Sequence, residues 1–456
     1  MSLTLFLTLL ALLASTASTT PSLEREWGPV LAADKDTSDL QNLVPSTRID
    51  LAYGLNDSKP ANVTLDMDYP TILLEHVKAA STVVCTNTTV NITFDDPAAY
   101  ERSRAEWSDQ GDLVLVTNHQ GNCDVANERG IFLARSLAWH EDDMTVVASG
   151  DKKDVLNTAT TLEMEFTHLR TPQYPHNLSQ HDVQFNRSGY NFLGNFSLDH
   201  DLQIFSEGDA FYASAHELVL RDNVTISGYL KYDILSHRLE SLYFDIAASF
   251  EADLSLIFHF TAPYSRNFTW APDALEYSMV NIPKLVRLGP SLKWDIGVDM
   301  GAAAAATLSL CVQAAVPDGH VHIDVVDPTR STASGWTSAA HNVSIDTSDE
   351  TTTIHASPYV DFGVELALDV LDGRLDLSTG VSVEPKYVNE LAAPAAGTDD
   401  RAPTLPWRPI GPGTPTADCG LMWHSAFEFD VIAFATQWVS KTLYSVQAGV
   451  TDRCLG

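Results

Sequence analysis

Residues 242–260 read Leu-Tyr-Phe-Asp-Ile-Ala-Ala-Ser-Phe-Glu-Ala-Asp-Leu-Ser-Leu-Ile-Phe-His-Phe. Every even position from Leu242 to Phe260 is apolar, and the odd positions between them are mostly polar: Asp245, Ser249, Glu251, Asp253, Ser255 and His259. A helix would return its apolar residues every third or fourth position, so a period of two identifies an extended chain with one dry and one wet face. The same even-numbered phase recurs from Leu292 to Val312 and from Val360 to Val370. At about 3.3 Å per residue the first run would stretch roughly 60 Å, against about 17–20 Å for an ordinary strand. Long, bent or bulged strands in a large curved sheet are therefore expected. Their apolar face needs a cover, which the protein itself, a lipid-like ligand or a membrane could supply.

Outward from this stretch the chain divides by composition. The expected fold is mainly β: a sandwich-like N-terminal domain with one short helix over residues 18–205, then a large antiparallel domain of long amphipathic strands over 206–390. Asp95-Asp96-Pro97 places an N-cap before a proline in the first turn of a helix reaching Trp107, with Tyr100 and Trp107 on one face. Strands are expected at Val83–Cys85, Val90–Phe94, Leu113–Val116, Ile131–Leu133, Thr145–Val147 and Leu162–Phe166. Asp372-Gly373 signals a two-residue hairpin between the alternating runs that flank it. Residues 391–418 hold six prolines and read as a linker or strap, and 419–456 as a disulfide-closed C-terminal segment in which Phe427–Leu443 fits an amphipathic helix, with strand the competing reading.

Residues 1–17 read as a signal peptide: Leu3–Ala14 is apolar but too short to span a bilayer, and Ser15 and Ala17 fit a small-x-small cleavage site. Ten Asn-x-Ser/Thr sequons follow, at Asn56, Asn62, Asn87, Asn91, Asn177, Asn186, Asn195, Asn223, Asn267 and Asn342. No later apolar stretch is long enough for a transmembrane anchor or a GPI signal, so a secreted, extracellular glycoprotein is expected. Sixty acidic against 27 basic residues give a net charge of −33, which repels nucleic acid and anionic lipid and suits solubility. The 45% hydrophobic content excludes a disordered chain. Of five cysteines, Cys85 and Cys123 flank one short segment and Cys419 and Cys454 another, each a natural disulfide loop. Cys311 is left over and, with no local base to activate it, reads as a buried, inert thiol.

Cys85, Phe94, Tyr100, Trp107, the segment Thr117-Asn118-His119-Gln120-Gly121-Asn122-Cys123-Asp124 and Glu128-Arg129-Gly130 resemble a family of uncharacterised secreted fungal proteins with an N-terminal domain of unknown function. Thr442-Leu443-Tyr444-Ser445 through Cys454-Leu455 resembles the C-terminus of the same proteins. The resemblance implies a fungal origin and supports the Cys85–Cys123 pairing. It brings no activity.

Chemistry-bearing residues are sparse. His320, His322 and Asp324 stand at i, i+2 and i+4, one face of a strand, in a two-His, one-carboxylate set that suits iron or zinc. They follow a Pro-Asp-Gly turn, and the plainer account is a polar strand face. His119, Asp124 and Glu128 lie just after a buried strand and are the candidate acid–base residues, set against a disulfide-tied turn held by Asn118, Gly121 and Asn122. Glu141-Asp142-Asp143 reads as a hairpin tip, and His176, His181 and His200 with Asp182, Asp199 and Asp201 as a cluster too irregular for a metal. Nucleophile-elbow, zinc-protease, Walker and Rossmann signatures are missing, so no cofactor is expected; paired carboxylates for glycoside hydrolysis stay open among so many acids.

The leading expectation is a non-enzymatic secreted glycoprotein that binds a hydrophobic ligand such as a lipid, given room by the small residues Gly301–Ala306, or that serves a cell-surface or structural role. The alternative is a secreted or secretory-pathway hydrolase or cyclase working in the same apolar cavity. Cell-wall polysaccharide is the other partner class considered, with Trp270, Trp336 and Trp407 as sugar platforms or, more simply, packing anchors.

Overall fold

In a computed structural model, the described residues are 27–32, 35–54, 61–118, 123–124, 128–170, 196–198, 202–207, 209–270, 275–276, 280–336, 340–347, 353–392 and 421–455. The signal segment, Asn56, His119, Asn177, Asn186, Asn195, the cluster around His176, His181 and His200, the proline-rich stretch from 393, Trp407 and Cys419 lie outside them.

Strands β1 (Gly28–Val30), β2 (Ser46–Gly54), β3 (Ala61–Leu73), β4 (Ala80–Cys85), β5 (Thr89–Phe94), β6 (Leu113–Asn118), β7 (Arg129–His140), β8 (Thr145–Lys153) and β9 (Ala159–Arg170) form the N-terminal part, with helix α1 (Pro97–Trp107) between β5 and β6. Two short strands, β10 (Phe196–Leu198) and β11 (Leu202–Glu207), lead into the long β12 (Phe211–Asp233) and β13 (Arg238–Phe260). Then come β14 (Tyr264–Trp270), β15 (Leu275–Glu276), β16 (Val280–Ile282), β17 (Val286–Ala302), β18 (Ala306–Asp324), β19 (Thr332–Ser334) and β20 (Ala340–Thr347). The last four are β21 (Ile354–Val370), β22 (Leu375–Ala392), β23 (Leu421–Ala435) and β24 (Trp438–Leu455).

These strands make two sheets. One, of sixteen strands, runs β19-β18-β13-β12-β9-β3-β6-β7-β8-β5-β4, with β20 also on β18; the other, of eight, runs β14-β17-β21-β22-β23-β24. All described pairings are antiparallel except β3 with β6. The chain crosses between sheets through two three-residue links, 261–263 and 303–305, and again between β20 and β21. Strands from 206–390 thus enter both sheets, and the C-terminal β23 and β24 complete the smaller one.

The alternating runs explain the layering. β12 and β13 are each 23 residues long, roughly 75 Å of chain, and pair almost throughout. Their length is accommodated by bulges, between Ala215 and Glu217 and between Ala248 and Phe250, which add local twist. The first bulge also switches phase: Phe211, Ala213 and Ala215 point inward before it, Val224, Ile226 and Leu230 after it. The inward face of the larger sheet (Phe244, Phe250, Leu254, Phe258, Leu310) meets that of the smaller (Trp294, Phe362, Val364, Phe429, Val431) in one continuous core. Phe250 and Phe362 meet across it as tilted rings with centroids 6.4 Å apart, and the Tyr387 hydroxyl donates to the Gln313 carbonyl oxygen at 2.6 Å. The apolar faces are therefore covered by protein. Between them lies a cavity of about 10 Å³, lined by Leu254, Val312, Pro358 and Tyr387 among others, room for about one water.

A second core forms where α1 covers the N-terminal strands. Asp96 caps the helix by accepting from the Ala98 N–H at 2.9 Å, and Tyr100 and Trp107 bury their shared face against Phe94 and Trp139. Cys85 and Cys123 are disulfide-bonded, and Cys454 is disulfide-bonded as well.

Three expectations are corrected. Phe427–Leu443 is not helix but the end of β23, a turn at 436–437 and the start of β24, with Phe427, Phe429, Val431, Ala433 and Ala435 buried in strict alternation. The Asp372-Gly373 turn is a four-residue loop, because Val370 pairs with Leu375 and Leu371, Asp372 and Gly373 all take positive φ. Leu371 adopts that costly conformation while burying its side chain in the core. Gly301–Ala306 is not mid-strand: Ala303–Ala305 form an exposed link between the sheets, and Gly301 makes room for His355.

Replacing Phe362, which packs on Trp294 at 4.6 Å and is 1% exposed, by Ala should lower unfolding free energy by about 3–5 kcal/mol in a denaturant titration.

Candidate functional site

The sequence-predicted candidates are dispersed. On β18, His320 pairs with Asp318 at 2.8 Å and His322 with Asp245 at 2.7 Å. Asp324 turns away to accept from the backbone N–H groups of Val326 and Asp327, at 3.0 and 2.8 Å. The three do not converge, and among the described residues no group of three or more His, Cys, Asp or Glu side chains is gathered for a metal. Glu128 is paired with Lys284, and Asp124 lies 3.9 Å from Lys152. Glu141-Asp142-Asp143 is the β7–β8 turn, with Glu141 paired to Arg104.

The neighbouring Arg129 and Gly130 serve packing. Arg129 is 2% exposed, grips Glu75 through Nε and Nη2 at 3.1 and 2.7 Å, and lies 4.4 Å above the Tyr53 ring. A Cβ on Gly130 would stand 2.5 Å from the Thr117 hydroxyl. Cys311 is free and exposed, 3.6 Å from the Ser255 hydroxyl, which corrects the expected buried thiol: in this part of β18 the odd positions, Gln313 with Cys311, face outward while Leu310 and Val312 enter the core. Trp336 is 2% exposed, seated on Gly319 and bonded to the His320 carbonyl at 3.1 Å, so it is a packing anchor. Asn62, Asn87, Asn223 and Asn267 are exposed, and Asn91 is half-buried.

With the interior filled, the chemistry lies on the outer faces, and each long sheet carries one organised array. On the larger sheet, Tyr229 of β12 stands directly opposite Tyr243 of β13, their rings stacked at 5.7 Å, and His322 of β18 continues the strip 5.3 Å beyond. The bond from His322 to Asp245 fixes the imidazole. Tyr212 and His259 repeat the arrangement farther along, stacked at 4.2 Å, with His259 bonded to Thr307 at 3.1 Å and Tyr212 41% exposed. Burial raises the phenol pKa of Tyr229 and Tyr243, so both stay neutral donors at any physiological pH. The strip is therefore a row of aromatic faces with hydroxyl and imidazole edges.

On the smaller sheet, register places Asp295 opposite Asp361 and Glu384 opposite Asp430, with Phe362 opposite Val383 bringing Asp361 and Glu384 into the same row. Four carboxylates thus cross four adjacent strands, an arrangement that costs stability when all are charged. Burial pushes the Asp361 carboxyl above its ordinary range despite a bond from Ser382, and Asp295 adds to the shift. Glu384 is raised by burial, then by Asp361, with Lys386 opposing. Beside the row, Lys293, Asp295, Asp361, Glu365, Ser382 and Phe434 line a groove of about 140 Å³.

Neither array was picked out from the sequence. The symmetric placing of Tyr229 and Tyr243 about the turn 234–237 was a signal, but that turn, Ile-Leu-Ser-His, has no glycine or proline to announce it.

Residues 64–163 match a domain of unknown function, DUF7029. The match runs from within β3 to within β9 and takes in α1, the second core and the Cys85–Cys123 disulfide. No curated protein and no solved structure matches the chain.

Carboxyls whose pKa is raised by folding favour the folded state when protonated, and that gain is lost as pH rises through the raised value. Through these two carboxyls, thermal unfolding should shift upward as pH is lowered from neutral toward the ordinary carboxylate range. Asp361→Asn should melt higher than the parent at pH 7 and show a flatter profile over that window.

Proposed function

We propose that the protein is a secreted fungal glycoprotein without catalytic activity, which binds cell-wall polysaccharide at the cell surface through the Tyr229–Tyr243–His322 strip. The apolar segment at residues 3–14, the Cys85–Cys123 disulfide and the exposed sequon asparagines support the extracellular part of this reading. The strip carries the binding part. The half-buried rings on the wet side of the sheet are aligned in one row, and the sugar C–H faces would pack on the ring surface left open while sugar hydroxyls bond the phenol and imidazole edges. The small volume between the sheets favours this surface over an enclosed lipid.

A second reading, hydrolysis of the same glycans, draws on the acid row, where Asp361 has a raised pKa next to Asp295. A carboxylic acid beside a carboxylate is the pairing that glycoside hydrolysis employs.

Sedimentation with insoluble wall glucan, mannan and chitin tests both readings. The parent should partition with one polymer, and Tyr243→Ala should bind it roughly tenfold more weakly, about 1.4 kcal/mol. Equal binding by Tyr243→Ala and a Tyr229→Ala, Tyr243→Ala double variant would remove the strip from the account. Release of reducing ends that disappears in Asp361→Asn would favour the hydrolytic reading.

A further inference from the structure

Among the described residues β24 (Trp438–Leu455) is an edge strand of the eight-stranded sheet. Its inner neighbour β23 takes up one row of backbone groups, and no described strand pairs with the other along Tyr444–Gly449. Proteins ordinarily guard such an edge with charge, proline or short length, because unpaired N–H and C=O groups are a template for another strand. This edge has little of that protection. From Thr442 to Thr451 it reads Thr-Leu-Tyr-Ser-Val-Gln-Ala-Gly-Val-Thr, ten residues with no charge and no proline, in a chain of net charge −33. Apolar side chains line it: Leu443, Tyr444, Val446 and Val450 are only partly buried against the core, and Val439 is 92% exposed.

The other long edges differ. Among the described edge strands of more than six residues, β14 carries the sequon at Asn267 and β20 the one at Asn342, whereas β24 has none. This comparison rests on the secreted, glycosylated reading above; the lack of charge does not.

We propose that β24 pairs edge to edge with β24 of a second copy of this chain, antiparallel about a two-fold axis, joining two eight-stranded sheets into one of sixteen. A second copy is the occupant the charge favours. Two chains of −33 repel wherever their acidic surfaces meet, and β24 offers each an uncharged strip to set against the same strip. An isologous pairing also consumes both edges and closes the assembly. The register is bounded by the strand itself. Irregularities at Val450 and Leu443 bracket a regular stretch, Tyr444–Gly449, paired with Phe429 and its neighbours on β23. Six residues are an ordinary strand length, and with the axis at Val446 they place Ser445 opposite Gln447 of the second copy.

Ser445 and Gln447 are exposed on the outer face of β24, so lysines there leave the core intact while putting like charges opposite one another in the dimer. The test is sedimentation equilibrium on the full chain carrying Cys311→Ser, so that a disulfide-linked pair is not counted, over roughly 1–100 µM. Glycosylated and enzymatically deglycosylated samples are run side by side. Each parent sample should show twice its own monomer mass at the upper concentrations. Ser445→Lys with Gln447→Lys should associate at least tenfold more weakly while melting at the parental temperature. A parent that stays monomeric, or a double-lysine variant that dimerises as well as the parent, would overturn the proposal. Dimerisation only after deglycosylation would do so too, since it would locate the contact on a glycan-covered edge.

Discussion

The apolar side chains of β13 and β18 lie against those of β17, β21 and β23 in a single layer, and most other features follow from that contact. Each sheet alone would leave a long greasy face in water, at roughly 25 cal/mol for every Å² exposed. The two faces fill one another, and the cavity lined by Leu254, Val312, Pro358 and Tyr387 between them is about 10 Å³. The interior is thus committed to cohesion. Recognition is left to the outward faces, where the rigid pleat holds Tyr229, Tyr243 and His322 in one line and Asp295, Asp361, Glu384 and Asp430 in another. Local irregularities answer the same demand: the bulge after Ala215 lets β12 keep its dry side inward, and Leu371 accepts a left-handed backbone to enter the core.

What could be read in advance was whatever one strand decides by itself. Leu242–Phe260 shows its period because each residue answers only to which side of one sheet it faces, and Asp96-Pro97 shows the helix start because a cap is a local bond. Phe427–Ala435 was harder, since a short apolar run fits a helix face nearly as well, and pairing with β22 and β24 settles it. Cys311 was misjudged from its residue type although its odd position already pointed to solvent. The aromatic strip and the acid row were out of reach for a different reason. Tyr243 and His322 are 79 positions apart, and Asp295 and Asp430 are 135 apart, so their meeting depends on registers across several strands. The matched domain, residues 64–163, bears on neither, because both arrays lie outside it.

The chain's repeated crossing between sheets, through 261–263, 303–305 and the segment after β20, has a consequence for biosynthesis. The larger sheet waits for β18 to cover β13, but β18 is made only after β17 has begun the smaller sheet, and the smaller sheet is finished by the last residues of the chain. No prefix ending before β23 has both apolar faces covered. A growing chain carries uncovered apolar strands until β23 has been made, which leaves surface open to aggregation through most of its synthesis.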